Sequence, residues 1–285
     1  MVTVPEIPLP VALAVLGAAL LHAGWNAFLK SGEDKQLDAI GIAVGSGAVA
    51  LAFVPFMGAP ASASWPWIAA SAIVHIAYFR LLASAYQWGD LSFSYPIMRG
   101  GGPLVVTVAG VAVFGEVLPW AQILGVLLIS AGILAFATHT ARDPAAQRKS
   151  LWFALANAAV IAAYTLIDAK GARLSGAPVA YALWFFVANG LVMLALGCLQ
   201  RGAAVPRHLL RRWRLTFVGG AGAVIAYGTA LWAMTQAPVA LVAVLRETSV
   251  VFAAALGALF LREPFTARRV GATLVVLAGL MALRA

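Results

Sequence analysis

The sequence predicts an all-α membrane protein of ten transmembrane helices, arranged as two inverted five-helix repeats. Three observations predict it: a composition too apolar for water, ten apolar runs of spanning length, and charged residues that recur at one fixed offset. Of the 285 residues, 63% are hydrophobic and 10% charged. Soluble domains carry about 25% charged residues. A water-soluble fold has too little polar side chain here to cover its surface. The bilayer is the alternative solvent, in which about 20 apolar residues cross as a helix with every backbone group bonded internally. The net charge of +9 does not signal nucleic acid. The basic residues form short clusters between apolar runs, as the positive-inside bias produces. The single Cys198 excludes a disulfide within the chain. No basic n-region precedes the first apolar run, so the sequence predicts no cleavable signal peptide.

Apolar windows fall at 9–29, 37–57, 66–87, 92–114, 119–138, 151–169, 178–200, 215–235, 239–261 and 268–284. Short turn sequences such as Gly58-Ala59-Pro60, Asp143-Pro144 and Gly176-Ala177-Pro178 separate them. The expected units are residues 1–138 and 151–285, joined by a linker at 139–150. Arg99 and Glu116 are 17 apart, as are Arg246 and Glu263. Ala131-Gly132 and Ala278-Gly279 follow at the same offset of 147. Five spans per unit require the halves to enter the membrane in opposite directions, the inverted repeat that recurs in secondary transporters. Thirteen Lys and Arg residues fall in one set of loops against three in the other, which places both termini outside the cytoplasm.

The segments Tyr95-Pro96-Ile97-Met98-Arg99-Gly100-Gly101-Gly102-Pro103 and Val244-Leu245-Arg246-Glu247-Thr248-Ser249 are repeat-related. They end in Phe114-Gly115-Glu116 and Leu261-Arg262-Glu263-Pro264. In these features the chain resembles the drug/metabolite transporter superfamily, EamA type, over nearly its whole length. His22-Ala23-Gly24-Trp25-Asn26 is similar to one bacterial branch. The resemblance implies a multi-pass transporter of the bacterial inner membrane, of no defined substrate, with cytoplasmic termini where the loop charges point the other way.

A charge at mid-bilayer costs about 2.5–3.5 kcal/mol on insertion scales, so an intramembrane ion is a functional candidate with a partner to be named. Arg99 and Arg246 lie inside spans four and nine, and neither readily loses its proton. Glu247 is the one acid expected at that depth, so one arginine is short of a protein anion. A substrate carboxylate or phosphate would fit it. The structural alternative is an Arg–Glu pair locking spans four and nine. Glu247, His22 and His75 are the candidates for proton coupling, although backbone-bonded histidines are the commoner outcome. Tyr95, Trp25, Asn26, Tyr78, Tyr164 and Tyr227 are expected around the substrate. Gly100-Gly101-Gly102-Pro103 predicts a broken helix beside Arg99. Asp168, Lys170, Glu116 and Glu263 are expected at the interface, the glutamates in structural roles.

No catalytic cluster, metal-ligand set or cofactor motif is present in the sequence. The expected partners are a small-molecule substrate and the lipid bilayer, with no nucleic acid, in a monomer or homodimer. The expected activity is export of a small zwitterionic or anionic metabolite by alternating access around a central cavity. A cationic-drug exporter and an importer of an organic metabolite are the alternatives.

Overall fold

The computed structural model describes residues 7–30, 34–89, 91–137, 143–261 and 266–284. Within them all regular structure is helical: α1 Leu9–Lys30, α2 Lys35–Phe53, α3 Trp65–Trp88, α4 Leu91–Phe114, α5 Trp120–Ala135, α6 Pro144–Leu174, α7 Pro178–Arg201, α8 Ala204–Arg211, α9 Trp213–Gln236, α10 Val239–Glu247, α11 Ser249–Leu261 and α12 Ala267–Ala282. Seven helical stretches are long and apolar enough to cross a membrane, the last running through α10 into α11. Leu9–Gly24 of α1 and Trp120–Ala135 are apolar but shorter. Outward-facing side chains are apolar too, with Phe56 and Leu199 each 82% exposed. Such a surface suits lipid, which gives no advantage to polar side chains.

Helix ends follow local chemistry. Asp34 caps α2 by accepting the Leu37 N–H at 3.0 Å. Asp143 caps α6 by accepting from Ala145, with Pro144 at the first helical position. Gly202 ends α7 with φ 55° and donates its N–H to Cys198. The helix α10 starts behind Pro238, which offers no capping side chain. Its missing cap comes from Glu116, whose Oε2 accepts the Val239 N–H at 2.9 Å. The other oxygen of Glu116 pairs with Arg173 at 2.7 Å, and Arg173 also donates to the Met234 carbonyl. Glu116 therefore has the structural role expected of it, while Glu263 lies outside the described residues.

Small residues set the helix spacing. In α2, Gly45 lies against the Thr216 carbonyl of α9 so closely that a Cβ would overlap it. Gly220 of α9 meets the Gly45–Ser46 backbone in return. Between α5 and α12 the contact is reciprocal. A Cβ on Gly132 would strike Val276 and the Ala272 carbonyl, and one on Gly279 would strike Ile129 and the Gly125 carbonyl. Each of these residues is 147 positions from its counterpart. At the centre sits α10, where every residue from Val239 to Leu245 is buried. It is apolar all round because helices α1, α4, α5 and α9 enclose it.

Two features depart from the sequence reading. The segment after α7 contains the short helix α8, where apolar windows leave only a loop. It buries Val205 and places His208 Nε2 2.8 Å from Asp38 of α2. The expected break at Gly100-Gly101-Gly102-Pro103 is absent, and α4 continues through both Pro96 and Pro103. Packing overrides propensity there: Gly100 faces Leu134 and the Ser130 carbonyl of α5, while Gly101 and Gly102 face Ala158 and Ile161 of α6. The interruption falls instead at Thr248, between α10 and α11. The Thr248 hydroxyl donates to the Leu245 carbonyl at 2.7 Å, and its N–H bonds the same carbonyl at 3.2 Å. Side-chain competition for that carbonyl tightens the turn between α10 and α11.

Replacing Gly45 by Val will destabilise the protein by at least about 1–3 kcal/mol, since backbone cannot yield as a side chain can. Gly271→Ala, with open space at its Cβ, will not. Melting temperatures in detergent separate the two. A pH effect follows from Asp34. Burial pushes its carboxyl up, but the Leu37 N–H and the Arg201 guanidinium, 2.5 Å away, outweigh that and hold it below its ordinary value of about 3.8. The stabilisation is present above that value and is lost as pH falls through the lower folded value. Asp34→Asn will therefore flatten the acid limb of a stability-versus-pH curve.

Candidate functional site

Arg99 projects from the middle of α4 and is buried. Its Nε lies 3.1 Å from Glu247 Oε2, and one terminal nitrogen donates to Glu247 Oε1 at 3.4 Å. The Nε also donates to the Tyr95 hydroxyl at 3.3 Å, one turn earlier on α4. The remaining terminal nitrogen meets His22 Nε2 of α1 at 2.5 Å. A guanidinium only donates, so His22 Nε2 accepts and carries no proton there. Three helices thus converge on one guanidinium: α1 through His22, α4 through Arg99 itself, and α10 through Glu247.

The pair leaves polar capacity unused. Glu247 Oε2 is within ion-pair distance of Arg99 Nε yet has no aligned hydrogen-bond donor among the described residues. Ser249 Oγ, buried two residues further on, also has no partner among them. Both atoms flank the interruption at Thr248. Irregular backbone at membrane depth is tolerated only where it is buried in protein or lines a polar cavity.

Arg246, 147 residues after Arg99, is placed differently. Its guanidinium lies over the Tyr227 ring at 4.7 Å from the centroid, a cation–π distance. No ion pair reaches it among the described residues. The hydroxyl of that same Tyr227 donates to Asp168 Oδ2 at 2.5 Å. The other oxygen, Oδ1, accepts from Tyr181 at 2.9 Å. Asp168 is fully buried in α6. Protein encloses it where a residue facing the headgroups was expected, and Glu247 is not the single buried acid beside the arginines. Both expectations counted residues from span ends, and α6 extends five residues beyond the predicted run, to Leu174. Among the described residues the two arginines are joined to two of the buried acids: Arg99 to Glu247 directly, and Arg246 to Asp168 through one tyrosine.

The aromatic candidates join these two centres. Tyr164 stacks on His75 at 4.3 Å and contacts Tyr78 and Tyr227 at 5.8 and 6.2 Å. His75 Nδ1 donates to the Ser71 carbonyl at 2.9 Å, the backbone-bonded arrangement that is the commoner fate of an intramembrane histidine. Tyr95 lies beneath Arg99 at 5.5 Å. The side chains of Trp25 and Asn26 lie outside the described residues. The sequence reading puts Asp168 at the interface and does not single out Asp38, which is buried and pairs with His208 and Arg212. In both cases the available signal was an acid inside or beside an apolar run. A separate groove of about 490 Å3 between α2, α7 and α9 is apolar, and neither arginine lines it.

Charged side chains gathered inside a multi-pass helical protein mark a functional site, a feature that membrane transporters have. Residues 148–285 match the EamA-like transporter family, and residues 54–129 match the Small Multidrug Resistance protein family. The chain belongs to the drug/metabolite transporter superfamily. One solved crystal structure superposes with a TM-score of 0.72 over 95% of this chain and 94% of its own, at 18% identity, which speaks to the fold alone. No curated protein matches significantly.

Arg99→Met will leave Glu247 buried without its cation and cost about 3–5 kcal/mol of stability. Adding Glu247→Met will recover much of that loss, because an apolar pair needs no desolvated charge to be compensated. Detergent melting curves of the two single variants and the double variant give the coupling.

Proposed function

We propose that this chain is a secondary active transporter that exports small zwitterionic or anionic metabolites, such as amino acids, across the bacterial inner membrane. In this reading residues 1–138 and 151–285 are two five-helix repeats of opposite orientation, ten membrane-crossing helices in all. Alternating access is an exchange between two packings of those halves. The reciprocal α5–α12 contact at an offset of 147 supports the repeat. The substrate site is the region of Arg99, Arg246 and Glu247, with Tyr95, Tyr78, Tyr164 and Tyr227 around it and with Trp25 and Asn26 as further candidates.

One observation carries the substrate class. Arg246 has a π-face but no ion pair among the described residues, while the adjacent Glu247 keeps an unmet buried oxygen. A carboxylate can take the first and an ammonium group the second. With two acids balancing two arginines, a zwitterion enters at no net charge cost, and it is the best fit within the class.

A second reading is favoured by the Small Multidrug Resistance match over residues 54–129. There the cargo is a lipophilic cation held by the aromatic cluster and the acids. Proteoliposomes loaded with radiolabelled amino acids, organic phosphates or quaternary ammonium compounds distinguish these. Exchange of amino acids that falls at least about tenfold in Arg246→Met is the expected result. Exchange of the cations alone would replace the leading reading with the second, and no exchange of any solute under either pH gradient would remove both.

A further inference from the structure

Two of the buried acids, Glu247 and Asp168, are joined to the two arginines, and their partners differ in kind. Glu247 meets a guanidinium, which has donors only. A protonated Glu247 would aim its O–H at a group unable to accept it. Asp168 meets hydroxyls instead: Tyr227 on Oδ2, Tyr181 on Oδ1, and Ser71 alongside. Hydroxyls both donate and accept, so the same partners satisfy a carboxylate or a carboxylic acid after rotating one O–H bond. Asp168 is the buried acid whose surroundings accommodate both protonation states.

The placement also ties Asp168 to moving parts and to charge. Its partners come from different helices: Ser71 from α3, Tyr181 from α7 and Tyr227 from α9. His75 of α3 reaches the same Ser71 hydroxyl at 3.3 Å. Tyr164 faces it from its own helix, and Arg99 of α4 lies beyond the aromatic cluster. Arg246 of α10 lies on the face of the tyrosine that bonds Asp168. A positive guanidinium in a low-dielectric interior opposes the arrival of a proton. An anionic group docked on Arg246 cancels that opposition.

We infer that Asp168 is a proton-binding carboxyl of this protein, linked through Tyr227 to Arg246 so that an anionic group at Arg246 and a proton at Asp168 favour one another. The proton comes from water on the side to which the site is open and leaves by the same oxygen on the other side. Linkage is reciprocal, so the proton strengthens anion binding as much as the anion strengthens proton binding. Protonation removes the charge that draws Tyr227 and Tyr181 together, and this loosens α7 and α9 against α6. The inference rests on the transport reading, and it moves proton coupling from Glu247 and the histidines to Asp168.

Infrared difference spectra of the purified protein in lipid, between acid and alkaline buffers, test it without any substrate. The wild type will show a protonated-carboxyl stretch that Asp168→Asn loses and Glu247→Gln keeps. Tyr227→Phe, which deletes one hydrogen bond, will shift the stretch to higher frequency. If Asp168→Asn does not fold, the Tyr227→Phe and Tyr181→Phe shifts serve alone. Arg246→Met will raise the band at a fixed neutral pH. A band unchanged in Asp168→Asn, lost in Glu247→Gln, or unmoved by both tyrosine variants overturns the assignment. A band indifferent to Arg246→Met overturns the linkage. Solute exchange in liposomes fails independently: an Asp168 band in a protein that moves nothing keeps the proton site and sinks the transport reading.

Discussion

Arg99 and Glu247 meet between α4 and α10, and much of the interior is arranged around the cost of that meeting. Two charges removed from water lose several kcal/mol of solvation each, which their attraction repays only with good geometry and further hydrogen bonds. Those bonds come from Tyr95 and His22, which brings α1 into the same junction. The enclosed helix α10 holds Glu247 there, and it is itself capped from outside by Glu116. A buried pair is weak evidence for stability as such. Here it sets which helices touch and at what register.

The second charged centre is built by different means. Arg246 and Asp168 do not touch; one tyrosine presents its ring to the cation and its hydroxyl to the acid. Tyr227 also packs against several of the apolar clusters of the bundle. It thereby connects electrostatics to helix packing, and a change in charge at either end is felt as a change in contact. The direct pair holds two charges against each other, and the second pair shares one tyrosine.

Close helix approach supplies the rigidity that such centres need. Without a hydrophobic driving force between helices in lipid, tight packing of small residues takes its place. Gly45 on the Thr216 carbonyl, and Gly132 and Gly279 facing the α12 and α5 backbones, are the points where this is achieved. The glycines beside Arg99 belong to the same pattern. They bring α4 close to α5 and α6 and leave the helix unbroken.

By itself, the sequence determined the solvent, the helical class, the positions of the apolar runs and the pairing candidates Arg99, Arg246 and Glu247. These follow from composition and periodicity, which act locally. Helix propensity predicts a break at the glycine triplet because propensity is local as well, whereas the neighbours that reward glycine with contact lie in other helices. The apolar run that ends at residue 169 puts Asp168 at its edge for a similar reason, since α6 continues past that run to Leu174. Only the tertiary structure decided that Tyr227 stands between Arg246 and Asp168, that Glu247 faces Arg99, and that the interruption falls at Thr248. Each depends on which helices lie side by side. Residues far apart in the chain meet only after packing, and one sequence carries no distance between them.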